Sequence, residues 1–172
     1  MTMNENFDAF DISPVPRPGP GAAAPPLYRG IYGMPMFVTV PTTDLAASID
    51  FWTRGLGFFE LFGIPGQMVH LRRWAFQDVL LVSGETIASP SPASVSFACV
   101  LDQIDPLISS LDAVGATPEV RDTPWNTRDV EVITPENARV LFTAAKVFDP
   151  ASVEGRNLQS VGIGRDDNGS HE

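Results

Sequence analysis

Apolar positions along this chain follow two periods, and the switch from one to the other happens twice. Residues 34–40 (MPMFVTV) form a short apolar run that predicts a strand, closed by Pro41. Thr43 or Asp44 then offers a side-chain oxygen to the free N–H groups of a first helical turn. Leu45, Ser48, Ile49 and Trp52 repeat at helical spacing, and Gly55 and Gly57 mark the end of that helix. Three strands follow, over 58–63, 68–74 and 76–82, the first two joined by the turn at Pro65–Gly66. Residues 84–92 (GETIASPSP) have linker composition. The order then returns: a strand over 95–101, a helix opened by Asp105 and Pro106, and an apolar face of Leu107, Ile108, Leu111 and Val114 ending at Gly115. Strands over 117–121, 128–133 and 138–144 complete the second set, with a turn at 135–137 before the last.

Both ends of the chain fall outside this pattern. Prolines at 14, 16, 18, 20, 25 and 26 deny residues 1–30 both helix and central-strand pairing and predict a flexible arm, with Phe7, Phe10 and Ile12 as side chains able to dock on the domain or on a neighbouring subunit. From Asp149 the composition turns polar and glycine-rich, predicting a loose tail over 149–172. The expected organisation is therefore an arm (1–30), one domain (31–148, with modules about 34–84 and 93–145) and a tail.

Composition narrows the partners. The formal net charge of -10 on 172 residues opposes nucleic acid or an anionic membrane surface, both of which need positive potential. A single cysteine, Cys99, excludes an internal disulfide framework. No apolar run is long enough to span a membrane, and no basic segment followed by an apolar core opens the chain, so a cytoplasmic location is expected.

The segment VTVPTTDLAASIDFWTRGLGFFE (38–60) resembles the opening of a module of the vicinal oxygen chelate superfamily, with its strand, aspartate-started helix, aromatic pair and Leu-Gly-Phe corner. TPWNTRDVEVITPENARVLF (123–142) is similar to the segment that closes such domains, where an acidic-proline turn precedes the last strand. That superfamily contains glyoxalase I, extradiol dioxygenases, fosfomycin-resistance enzymes and bleomycin-resistance proteins. The resemblance implies an α+β fold of two βαβββ modules whose curved mixed sheet surrounds a concave pocket.

The resemblance also implies where a metal would sit. Its metal-dependent members carry a histidine near the start of the first strand of each module and a glutamate on a final strand. These places fall on Phe37 (or Met36), Val95 and Leu141, with Leu81 at the matching place in the first module. None offers the imidazole or carboxylate a divalent ion needs. Neither a metal nor another cofactor is expected. Of the two histidines, His171 lies in the polar tail and His70 stands alone in a strand.

With those positions apolar, the concave face suits an organic ligand, with alternation adding Thr39, Phe97, Cys99, Val79, Arg139 and Thr143. Trp74 and Trp125 are candidate aromatic walls or lids, although Trp125 anchoring the loop against the domain is the equal alternative. Asp78, Glu60, Asp122 and Asp129 are candidate counter-charges, and Arg128 either lines the site or forms a surface pair with Asp129. The expected ligand-binding set is Phe37, Thr39, Trp74, Asp78, Leu81, Val95, Phe97, Trp125, Arg128 and Leu141. The leading expectation is metal-independent binding of a small organic, cationic aromatic natural product, as in the homodimeric bleomycin-resistance proteins. The alternative is an enzyme of the same superfamily using His70, Asp78, Glu60 or Asp129 as acids and bases.

Overall fold

Each half of the chain builds the same sheet. The computed structural model describes residues 13–34 and 36–162, so the readings placed on Phe7, Phe10, Ile12 and His171 lie outside the described residues. The first half contributes β1 (Val38–Thr42), α1 (Leu45–Asp50), β2 (Phe59–Ile64), β3 (Met68–Arg72) and β4 (Asp78–Ser83). The second contributes β5 (Ser94–Cys99), α2 (Ile104–Ala113), β6 (Glu119–Asp122), β7 (Thr127–Ile133) and β8 (Arg139–Ala145). The strand orders are β1-β4-β3-β2 and β5-β8-β7-β6. In each half the helix carries the chain to the far edge and two hairpins walk back, so the fourth strand lands parallel beside the first. The α+β architecture of two βαβββ modules is thus the one observed.

Local departures have local causes. The single expected helix after Asp44 is split. Asp44 Oδ1 accepts from Ala47 N–H (3.0 Å) to cap α1, but residues Phe51–Gly55 widen into a π-helical turn in which Leu56 N–H reaches Phe51 O (3.3 Å). The wider turn directs Phe51, Trp52 and Leu56 all inward. α2 starts at Ile104, so Asp105 and Pro106 are its second and third residues, where a missing N–H still breaks no helical bond. Gly115 follows the C-cap of α2 with φ of 77°, as its composition demanded. Pro118 delays β6 to Glu119. The tail is not uniformly loose: Ser152 caps α3 (Val153–Ser160) by accepting from Gly155 N–H at 2.8 Å.

The helices cover one face of both sheets, and the core between them joins the halves. Trp52 is fully buried and meets Phe58 edge-on (centroids 5.2 Å), while Phe58 meets Phe97 of β5 at 5.1 Å and Phe97 meets Phe142 of β8 at 5.8 Å. Trp52 Nε1–H also donates to Oε1 of Glu136, a wholly buried carboxyl in the turn before β8. Arg73 spans the same seam, donating to Ala98 O (2.9 Å) and Gln103 Oε1 (2.9 Å) beside the rings of Trp74 and Phe142.

Replacing Trp52 by Phe strands the Glu136 carboxyl and is expected to cost about 2–4 kcal/mol. Urea unfolding should give a lower midpoint at unchanged slope, and adding Glu136→Met should recover more than half of the loss.

Candidate functional site

A cavity of about 530 Å³ lies between the starts of β1, β4 and β5, with Pro14 and Val15 of the N-terminal arm on one side. Phe37, Phe76, Val95 and Phe97 give it apolar walls, and Gln77, Asp78, Ser94 and Ser96 are its polar points. Phe76 has φ of 66°, an unusual conformation for a bulky residue. It is held there by its N–H, which donates to Tyr32 Oη (2.5 Å), and by ring contact with Tyr32 at 4.9 Å. The result is a half-exposed phenyl ring at the cavity wall.

Behind that wall is a buried polar cluster. Asp78 Oδ1 accepts from Arg72 Nε–H (2.6 Å) and lies 2.6 Å from His70 Nε2, while Oδ2 accepts from Tyr32 Oη–H (2.7 Å). Arg72 and Asp78 face each other across β3 and β4 and are 1% and 2% exposed. Arg72 also donates to Gly30 O (2.5 Å) and lies 4.0 Å over the Tyr32 ring. The arm therefore runs over the first sheet and completes the cluster. Burial, then the hydrogen bond to Asp78, push the Tyr32 hydroxyl pKa up.

The expected site residues scatter. Phe37 and Val95 line the cavity, and so does Phe97. Thr39 is exposed on β1 opposite Leu80, on the face away from the helices. Leu81 is wholly buried in the helix-side core, where Val40 and not Thr39 pairs with it. Val79 and Cys99 share that core, and the greater part of Phe97 does too, so the alternation assigned to these strands is shifted by one residue. The residues that accompany Phe37 on the open face are Asp78 and Leu80 in the first module, and Ser94 and Ser96 in the second. Leu141 does lie on that face, opposite Ser96, with Arg139 and Thr143.

Trp74 lies apart from this cavity. It is 1% exposed and borders a different pocket of about 400 Å³, beside Gly57 and Gln103. Trp125 is exposed in the β6–β7 connection and borders a third pocket of about 480 Å³ with Lys146 and Phe148. Arg128 is exposed near the start of β7, and Asp129 accepts from Thr127 Oγ1–H (2.9 Å) rather than pairing with it. Asp78 is no free counter-charge, since Arg72, His70 and Tyr32 already surround it. Of the candidate acids and bases only His70 and Asp78 meet; Glu60 is exposed on β2 and Asp129 lies on the other sheet.

Tyr32, Arg72, Phe76 and Ser96 were missed by sequence reasoning. The alternation His70-Leu71-Arg72 signals a shared polar face, but nothing local announces that Tyr32, 46 positions from Asp78, reaches it. Cys99 offers no nucleophile: burial pushes its thiol up to about 11, with Arg73 pulling it down and Asp129 pushing it up by smaller amounts. Burial likewise pushes Arg73 down to about 10, leaving it charged at neutral pH.

The side chains at the places that the sequence resemblance assigns to metal ligands do not fit a divalent ion. Phe37, Leu81, Val95 and Leu141 carry no ligating atom, their open-face neighbours Ser94, Ser96 and Leu80 supply no imidazole or carboxylate, and the carboxylate of Asp78 is already engaged by Arg72, His70 and Tyr32. Among the described residues no three His, Cys, Asp or Glu side chains gather as a metal site.

No protein-family model and no curated protein matches this chain. Solved structures do. The fosfomycin resistance protein FosX from Listeria monocytogenes, complexed with Mn(II) and sulfate, superposes with a TM-score of 0.59 at 14% identity, covering 77% of this chain and 99% of that one. FosX from Mesorhizobium loti gives 0.55 at 13% identity over 69% and 96%. An integron cassette protein from the mobile metagenome of the Halifax Harbour sewage outfall gives 0.51 at 23% identity over 66% and 99%. These likenesses show the fold alone: two βαβββ modules arranged as in those structures. No helix among the described residues is long and apolar enough to cross a membrane.

Asp78→Ala leaves Arg72 buried without its carboxylate and is expected to cost about 3–5 kcal/mol. Tyr32→Phe removes one hydrogen bond to that carboxylate and should cost about 1.5–3 kcal/mol. Chemical denaturation of the two variants checks both the order and the sizes.

Proposed function

We propose that this protein binds a small organic molecule without a metal, in the cavity between β1, β4 and β5. The observation that carries this reading is the lining: a mostly apolar wall, with the half-exposed phenyl rings of Phe37 and Phe76, around a few neutral polar groups. Such a lining suits an uncharged planar body held by ring contacts and oriented by sparse hydrogen bonds. Asp78, the one charged group on the wall, is matched by Arg72 and leaves little attraction for a cationic ligand. A phosphonate such as the dihydroxypropylphosphonic acid bound by one Listeria FosX would find no cation on this wall.

Antibiotic sequestration is the favoured subtype, supported by analogy of fold with resistance proteins. A homodimer belongs to the same proposal: Ile31, Met36, Phe37 and Phe76 present apolar surface near the cavity mouth that a second copy would cover. The second reading is an enzyme of the same superfamily working through His70 and Asp78, favoured by their 2.6 Å approach.

Calorimetric titration with a panel of planar natural-product antibiotics tests the first reading. At least one neutral compound should bind in the micromolar range. Ser96→Trp, which fills the cavity, should weaken it at least about tenfold, and Trp125→Ala should leave it unchanged. Absence of binding across the panel, or indifference to Ser96→Trp, would overturn the proposal.

A further inference from the structure

Nδ1 of His70 is buried and has no hydrogen-bond partner. The side chain is 3% exposed, so the nitrogen bears the desolvation cost of a polar atom without the return of a bond. Its state follows from the opposite nitrogen. Asp78 Oδ1 is an acceptor already engaged by Arg72, and Nε2 approaches it to 2.6 Å, so Nε2 carries hydrogen. In the neutral ring Nδ1 then holds a lone pair, fixed in that tautomer by Asp78.

A second observation concerns what covers the ring. β2 has a bulge: Glu60 pairs with Leu71 and Phe62 with His70, so Leu61 is one residue too many. Bulges re-aim side chains and are frequent beside functional sites. This one sets the Phe62 ring edge-on against the imidazole, with centroids 5.2 Å apart, while Phe62 itself stays 56% exposed. A side chain so exposed can swing without unpacking the core. His70, Leu80 and Thr39 occupy one level across β3, β4 and β1, on the same face as Phe37 and Asp78 at the cavity wall.

We propose that His70 Nδ1 is the hydrogen-bond acceptor of a subsite that extends the cavity across the open face of the first sheet, with Phe62 as its cover. The ligand it selects is an apolar organic molecule bearing a hydroxyl or N–H donor. The inference rests on the reading of the cavity as an organic-ligand site. His70 is then a specificity-determining contact, and Asp78 positions it.

Phenol and anisole test this, because they share a ring and differ in one donor. Each is titrated into protein labelled with nitrogen-15, and the His70 ring nitrogens are followed by long-range proton–nitrogen correlation. Phenol should shift the Nδ1 resonance and bind about fivefold more tightly than anisole, the ratio of one neutral hydrogen bond. His70→Gln keeps an amide near the Nε2 position for Asp78 and has nothing at Nδ1, so it should abolish the preference. His70→Asn keeps a polar atom near Nδ1 and should retain part of it. Equal affinities, or an Nδ1 resonance unmoved by phenol, overturn the inference while leaving the cavity reading in place. Failure of both probes to bind overturns the two together. The wild-type comparison decides even if a variant fails to fold.

Discussion

A buried carboxylate organises the open face of the first sheet. Asp78 sits on β4, accepts from Arg72 of β3 and from Tyr32 of the N-terminal arm, and meets His70 of β3. A charge this far from water is tolerable only because a guanidinium and two further polar partners surround it. The consequences spread outward. Tyr32, held by Asp78, accepts from Phe76 N–H and keeps that residue in its left-handed conformation, which presents a phenyl ring to the cavity. The same carboxylate orders the imidazole of His70. One ion pair thus ties together the arm, the cavity wall and the ordered histidine.

The two modules share one core, and the cavity lies beside it at the starts of β1, β4 and β5. The seam is sealed by the rings of Trp52, Phe58 and Phe97, by the Trp52–Glu136 hydrogen bond, and by Arg73 reaching to Ala98 and Gln103. Phe97 belongs to both regions, packed in the core and bordering the cavity. At the places that the sequence resemblance assigns to metal ligands, this chain has a phenyl ring, aliphatic side chains and, one residue away, serine hydroxyls.

The repeat was legible because periodicity changes twice in the same order, and turn residues such as Pro65, Gly66 and Gly115 stand at the expected places. The face of each strand was not legible. Residues 79–82 read VLLV, apolar on both sides, and VSFAC over 95–99 alternates only weakly, so a slip of one residue left no mark in composition. Leu81 faces the helix-side core in consequence. The arm was underestimated for a different reason: proline explains why residues 13–34 form no helix or strand, but says nothing of the tyrosine that reaches Asp78 across the sheet. Trp125 stood out as a lone aromatic in a polar loop, and the fold places it at a separate pocket from Phe37.

A bound molecule should sit in the cavity between β1, β4 and β5, and mapping it on the folded chain tests this most directly. Backbone amide chemical shifts, recorded with a saturating amount of the tightest-binding planar compound, should change most at residues 36–38, 75–78 and 94–98. Changes concentrated instead around Trp125 and Phe148, or spread without focus over the surface, would contradict the account.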